Sequence, residues 1–146
     1  MTFYRRPTKV TRAMNRVVGW LASRGLMPSD TITLEVKGRR SGMTRSSVVT
    51  WVEQGEGRYL VSPRGETEWV RNVRAAAGDA AVRRRGSQKV RLEEVPAEER
   101  APIIKAYLVK TAKATRQHFG VDPKAEIEEF EAIAARHPVF RIVTID

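Results

Sequence analysis

The chain has 146 residues, of which 41% are hydrophobic, and this predicts a single domain over residues 1–146 with an interior of its own. It contains no cysteine, which excludes disulfides, thiolate metal sites and cysteine nucleophiles and fits a reducing, cytoplasmic location. Its 27 Lys and Arg exceed its 17 acids, so the net charge is +10 and an anionic partner is expected, either a nucleic acid, a membrane surface or a polyanionic small molecule.

The first 25 residues are predicted to carry an amphipathic N-terminal helix. One helical face contains the apolar residues Val10, Met14, Val17, Val18 and Leu21. Three interpretations stay open for this helix: it packs on the core, it covers a site, or it contacts a membrane surface. No uncharged run exceeds seven residues, so no segment is expected to span a membrane.

Six strands are predicted after this helix, in adjacent runs. Their sequences are TITLEVK (31–37), SSVVTWV (46–52), RYLVS (58–62), AAVRRR (80–85), QKVRLEEV (88–95) and PVFRIVTI (138–145). A short helix is predicted over residues 67–78. A longer one is expected to open at Pro96, and a last one to start at Asp122-Pro123 and run to Arg136. The order favours an α+β fold with a largely antiparallel sheet, or a small barrel, over a doubly wound parallel sheet.

The ionisable residues suggest little catalysis by side chains alone. His118 and His137 have no nucleophile or metal ligand at a known spacing, so packing or a helix-end role is expected for both. Paired acids such as Glu98-Glu99 suit solvent-exposed faces. If the protein is an enzyme, a cofactor is therefore expected to carry the reaction.

The stretch KGRRSGMTRSS, residues 37–47, is the strongest local signal. Its arginines offer forked donors that match phosphate or carboxylate, and its two glycines permit close approach of a ligand to the backbone. It is neither a Walker loop nor a dinucleotide fingerprint. Spacing alone leaves two interpretations open, an anion site and a hairpin loop made soluble by arginine. A second basic stretch, SPRGETEWVRN over residues 62–72, places a glycine-containing loop before a helix start, where anions are favoured.

Over roughly residues 31–85, the chain resembles the deazaflavin-dependent nitroreductase family. The stretches that carry the resemblance are GRRSGMTR, YLVSPRG and EWVRN. The resemblance implies a split β-barrel of about six strands, with an N-terminal helix, one short helix and two helices in the C-terminal half. It also implies coenzyme F420, whose phosphate and glutamate tail would be the expected polyanion.

The resemblance also implies roles for individual residues. The first loop would hold the phosphate and the tail through Arg39, Arg40, Ser41, Gly42 and Arg45. The second strand would line the deazaflavin with Val48, Val49 and Thr50. The second loop and the short helix would contact the cofactor and close the site with Ser62, Pro63, Arg64, Gly65, Trp69, Arg71 and Asn72. For Trp69, core packing is the competing interpretation.

The implied reaction is hydride transfer from the reduced deazaflavin to a small hydrophobic acceptor: an activated C=C bond of an enone or lactone, a quinone or a nitro-heterocycle. Tyr107 and Ser47 are candidates for proton delivery, with core packing as the alternative for Tyr107. Competing hypotheses are a non-catalytic carrier of the same coenzyme, an FMN-binding split barrel and a basic nucleic-acid-binding module. The last lacks aromatic residues between its arginines, so no nucleic-acid partner is expected. Both a monomer and a homodimer are compatible with the sequence.

Overall fold

The computed structural model describes residues 31–145, apart from the side chains of residues 112–117, so the predicted N-terminal helix lies outside the described residues. The described strands are β1 Thr31–Lys37, β2 Thr44–Gln54, β3 Gly57–Val61, β4 Asp79–Arg83, β5 Ser87–Glu94 and β6 Val139–Thr144. They close into a barrel in the order β1-β2-β3-β6-β5-β4. Every neighbouring pair is antiparallel. The predicted α+β barrel of six strands is thus confirmed.

The described helices are α1 Glu68–Ala75, α2 Ala101–Phe119 and α3 Ile127–Ile133. Two of the predicted helix starts are wrong. Pro96 opens only a 3₁₀ turn, Ala97–Glu99, before α2. The Asp122 carboxylate accepts a hydrogen bond from the Lys124 backbone N–H at 2.8 Å, a local turn that competes with a helix, so α3 starts only at Ile127. No helix in the described part of the chain is long and apolar enough to cross a membrane.

The apolar residues form two cores, one on each face of the sheet. Strand alternation turns Leu34, Leu60 and Phe140 into the barrel, where each is at most 1% exposed. The outward Val52 and Val61 pack under α2 and α3. The sheet therefore carries an internal core and an external, helix-covered core.

The two ends of the barrel differ. The end we call the upper end holds the β1–β2 loop (residues 38–43), the β3–α1 loop (residues 62–67) and α1, whose Val70 and Val73 are buried against the barrel interior. Because β4 runs antiparallel to β1, the β4–β5 hairpin (residues 84–86) lies at the opposite end, together with the β2–β3 turn. We call that end the lower mouth. The upper end thus brings together the two basic stretches that stood out in the sequence.

Candidate functional site

The β1–β2 loop is a tight turn that requires its two glycines. The Gly38 N–H donates to the Met43 carbonyl at 2.8 Å, and the Gly42 N–H donates to the Gly38 carbonyl at 2.9 Å. Gly42 has φ +74°, and a Cβ at Gly38 would lie 3.0 Å from the Met43 carbonyl oxygen. Larger residues would strain or push apart the loop that presents the arginines.

Arg39 is locked onto α1. Its backbone N–H and its guanidinium both donate to the Asn72 side-chain oxygen, at 3.1 Å and 2.8 Å. The same guanidinium pairs with Glu68 at 2.7 Å. Asn72 is 5% exposed, so a buried amide joins the two basic stretches predicted from sequence. Arg39 and Asn72, two of the predicted site residues, are therefore in direct contact.

Glu68 is the acid at the centre of this basic surface. Its hydrogen bond from Arg39 holds the pKa of Glu68 below its ordinary value, and the nearby charges of Arg40 and Arg71 lower that pKa further. Its side chain is 68% exposed, so the pair with Arg39 is screened by solvent. Sequence reasoning had missed Glu68, because an acid in the first turn of a helix is ordinarily explained by the helix dipole.

Three further arginines belong to the same end of the barrel: the charges of Arg40 and Arg71 act on Glu68, and Arg45 lies beside Gly38 at the start of β2. The guanidinium groups of Arg40, Arg45 and Arg71 have no hydrogen bond or ion pair with any residue between 31 and 145 whose side chain is described. Arg40 is exposed on the loop, Arg45 is exposed at the start of β2, and Arg71 is half-buried on α1. These groups can take up phosphate or carboxylate oxygens without breaking an existing contact. We call Arg39, Arg40, Arg45 and Arg71 the upper basic cluster.

The residues just before β6 hold the β3–α1 loop in place. The Ser62 N–H donates to the Pro138 carbonyl at 2.9 Å, and the Ser62 hydroxyl donates to the Gly65 carbonyl at 2.6 Å. Ser62 is fully buried, whereas Pro63 and Arg64 are half-buried. The Ser62 hydroxyl therefore stabilises the loop, and of the predicted site residues in this loop Pro63 and Arg64 have accessible side chains.

His137 completes the support of this loop. Its Nδ1 lies 3.1 Å from the Ser62 carbonyl oxygen, and its ring centroid lies 4.4 Å from that of Phe119. Burial lowers the pKa of His137 to about 4, so the ring is neutral at pH 7 and its Nδ1–H donates to the carbonyl. Sequence reasoning assigned His137 to a helix end, because a contact across 75 positions carries no local signal.

The predicted residues of β2 do not share one face. Val49 pairs with the core residue Ile32, so its side chain is directed into the barrel, whereas Val48 and Thr50 are directed outward. Ser47 pairs with Leu34 and shares the inward face of Val49. A ligand on the outside of β2 can therefore meet the side chains of Val48 and Thr50 but not that of Val49.

The two aromatic candidates have packing contacts. The Trp69 ring lies 5.7 Å from Phe140 and borders the barrel core while remaining partly exposed. Tyr107 lies on the buried face of α2, where it is 4% exposed, and burial raises the pKa of its phenol well above the ordinary value. Tyr107 therefore holds its proton in the helix-covered core, which favours the packing interpretation. No group of three His, Asp or Glu side chains in the described part of the chain is placed to hold a metal ion.

Similar solved structures share the fold. A protein of unknown function from Agrobacterium tumefaciens is 15% identical with TM-score 0.59; the match covers 88% of this chain but only 54%, about half, of that longer protein. An F420-H2 dependent reductase, FDR-A, is 19% identical with TM-score 0.53, and the match covers 80% of this chain and 96% of that one. A third structure, described as a domain-swapped dimer, is 16% identical with TM-score 0.55, and the match covers 91% and 96% of the two chains. A comparison with curated protein sequences finds no match.

A protein-family comparison matches residues 4–124 to the F420H(2)-dependent quinone reductases. The match includes both basic stretches, α1 and most of the barrel, and it confirms the resemblance to F420-dependent split-barrel oxidoreductases. It also confirms coenzyme F420 as the cofactor. The upper basic cluster fits that polyanion, since three of its four guanidinium groups are not engaged by described residues. The chain belongs to the F420H(2)-dependent quinone reductase family.

Proposed function

We propose that the protein is a reductase that transfers a hydride from reduced coenzyme F420 to an electrophilic acceptor, with a quinone as the first acceptor to test. The observation that carries the proposal is the upper basic cluster, in which the buried amide of Asn72 fixes Arg39 while the charges of Arg40 and Arg71 act on Glu68 beside it. A coenzyme with a phosphate and a glutamate tail is the kind of ligand that would neutralise such a cluster. The family match supplies the reaction class.

In this proposal Arg40, Arg45 and Arg71 bind the phosphate and the tail, and Arg39 supplies a donor already fixed in place by Asn72. Ser41 and Gly42 shape the loop around these charges. Because Arg39 is held at 2.8 Å from the Asn72 oxygen before any ligand arrives, little side-chain entropy is lost when an anion binds there.

The ring system of the coenzyme is proposed to lie against the outward face of β2, beside Val48 and Thr50. On the side of the β3–α1 loop, the ring system would be bordered by Pro63, Arg64 and the backbone of Gly65. The exposed edge of Trp69 would close the site. Val48 and Pro63 are half-buried apolar groups, suited to excluding water from a planar ligand. Val49 and Ser62 contribute as parts of the supporting structure.

When bound, the reduced coenzyme supplies a hydride, which together with one proton reduces a quinone by two electrons while the coenzyme is oxidised. The chain's own contribution is to orient the two ligands and to stabilise developing negative charge on the acceptor. Arg64 is the accessible cation nearest the proposed ring position along the chain. Enones, lactones and nitro-heterocycles are the alternative acceptors.

The test is a spectroscopic titration of the full-length protein with oxidised and reduced coenzyme, followed by turnover with a quinone, an enone and a nitro-heterocycle. Saturable binding and oxidation of the reduced coenzyme only in the presence of an acceptor would support the reductase. Tight binding without turnover across the panel would instead identify a coenzyme carrier. Absence of binding at micromolar coenzyme would overturn both functions, and a yellow flavin retained on purification would indicate FMN.

One neighbouring structure is a domain-swapped dimer, and we propose a homodimer as the assembly to test by sedimentation.

A further inference from the structure

The lower mouth opens into a cavity of about 320 Å³ inside the barrel. Its apolar lining residues are Ile32, Trp51, Val82, Val90 and Ile142, and its charged lining residues are Glu56, Arg58, Arg84 and Arg141. Cavities of this size at the mouths of β-barrels hold small molecules. This cavity lies at the opposite end of the barrel from the upper basic cluster, so it is separate from the proposed coenzyme site.

The rim of this cavity carries one arginine, Arg84, that faces the interior of the barrel while its neighbours Arg83 and Arg85 do not line the cavity. Along RRR at the end of β4, Arg83 is directed outward and pairs with Glu35 at 3.2 Å. Strand alternation turns Arg84 the other way, and it lines the cavity. The Arg84 Nε is buried and has no hydrogen-bond partner among the described residues, a property that it shares with the Arg83 Nε, so the direction of its side chain is what distinguishes Arg84. Because the Nε is out of reach of the cavity, an anion that enters would meet the terminal guanidinium nitrogens of Arg84, which are not buried and have no hydrogen bond or ion pair with a described residue.

The opposite wall provides an aromatic surface and a second guanidinium. Arg58 lies 4.6 Å from the ring centroid of Trp51, and its Nε is 3.3 Å from the exposed Glu53 carboxylate. Arg58 is therefore already engaged, both by a ring and by an acid. Arg141 also lines the cavity, but it follows the inward Phe140 along β6, so strand alternation directs its side chain outward. Arg84 is thus the cation that faces the cavity without an acid partner among the described residues.

We propose that the lower mouth is a binding site for a small apolar monocarboxylate, such as an aromatic acid. Arg84 holds the carboxylate through its forked donors, and the apolar floor beside Trp51 holds the hydrocarbon body. A neutral molecule of the same shape leaves the Arg84 donor unsatisfied and binds more weakly. A more highly charged anion places charge against the apolar floor and is rejected.

The test uses the full-length, coenzyme-free protein, so it does not depend on the proposed reductase function. Benzoate is titrated to millimolar concentration while the NMR signals of the Trp51 indole N–H and the Gly86 amide are followed, and benzyl alcohol serves as the neutral control. Arg84→Gln is compared with Arg85→Gln, which removes the same charge from the exposed neighbouring residue. Circular dichroism checks that both variants fold.

Saturable benzoate binding is expected at both signals. Arg84→Gln is expected to weaken it about tenfold and Arg85→Gln less than about twofold, since only the first removes a charge-assisted hydrogen bond. Equal weakening in both variants, equal binding of benzyl alcohol, or shifts that never saturate would each overturn the proposal. If Arg84→Gln does not fold, Arg84→Lys keeps the charge but loses the fork, and unchanged affinity in that variant would overturn the role of Arg84.

Discussion

The β1–β2 loop and the β4–β5 hairpin carry similar runs, GRRSG and RRRGS, at opposite ends of one barrel. In each, one arginine is paired with a glutamate: Arg39 with Glu68, and Arg83 with Glu35. The difference lies in what surrounds the pair. At the upper end a buried amide and α1 gather further guanidinium groups onto one surface. At the lower mouth, alternation separates the arginines, and a single one faces an apolar cavity.

The comparison shows that arginine count alone does not define a ligand. A surface with several guanidinium groups favours a polyanion, because each phosphate or carboxylate oxygen finds its own donor. A single guanidinium above an apolar floor favours a ligand with one charge and a hydrocarbon body. Four predictions, from the largest expected effect to the smallest, test this contrast.

The largest effect is expected from removing two arginines of the upper basic cluster. Arg40→Ala combined with Arg45→Ala should weaken coenzyme binding about a thousandfold, because two charge-assisted contacts of about 2 kcal/mol each are lost. Fluorescence titration measures this. The matched control is Arg85→Ala combined with Lys89→Ala, which removes the same charge from the β4–β5 hairpin and the adjoining part of β5. A similar loss in the control would show that net charge, rather than the cluster, attracts the coenzyme.

Lowering the pH should destabilise the folded protein at the upper end of the barrel, because His137, which contacts Ser62, becomes protonated. Its pKa is about 4 when folded, against 6.5 as the ordinary value, so the unfolded chain binds the proton more readily. Stability is therefore complete above pH 6.5 and falls by about 3 kcal/mol as the pH drops to 4. Denaturant unfolding between these pH values measures the loss.

His137→Asn is the control, because its amide can still donate to the Ser62 carbonyl but does not titrate. The free energy of unfolding of this variant should change less than that of the wild type over the same pH range. Hydrogen exchange, corrected for intrinsic rates, should show earlier opening at the Gly65 amide than at the Ser87 amide. Equal pH dependence in wild type and variant would assign the acid effect to other groups.

Asn72→Ala should release Arg39, since it removes the shared acceptor of the backbone N–H and the guanidinium. We expect coenzyme binding to weaken about tenfold and unfolding free energy to fall by about 2 kcal/mol, because the partly buried Arg39 N–H and guanidinium lose their shared acceptor. A double-mutant cycle with Arg39→Ala tests the mechanism. The two losses of affinity should be clearly non-additive, and additive losses would mean that Asn72 acts independently of Arg39.

The smallest effect is expected at Glu68. Because it competes with an incoming anion for Arg39, Glu68→Gln should strengthen coenzyme binding about threefold at low salt, and less at high salt. Glu35→Gln is the matched control, since it breaks the corresponding pair with Arg83 at the other hairpin, and it should leave coenzyme affinity unchanged. Weaker binding in Glu68→Gln would instead show that Glu68 holds Arg39 in its binding position.

Several elements could be predicted from the sequence because their signals are local. Alternation identified β1 from Thr31 to Lys37, and the apolar spacing of Trp69, Val73 and Ala76 identified α1. The two helix starts were wrong because Pro96 and Asp122-Pro123 form turns as readily as helix caps, and only packing decides between them. The opposite faces of Val48 and Val49 follow from the two-residue period, but which face is inward depends on the register with Ile32.

By itself, the sequence determined the strands, the positive charge and the two basic stretches, since composition and short-range periodicity encode all three. Only the tertiary structure decided that Arg39 meets Asn72 across 33 positions, that His137 supports Ser62, and that Arg84 rather than Arg83 or Arg85 lines a cavity. These contacts arise when the barrel closes. Closure is set by the summed burial of many apolar residues and by strand register, which no short stretch of sequence contains.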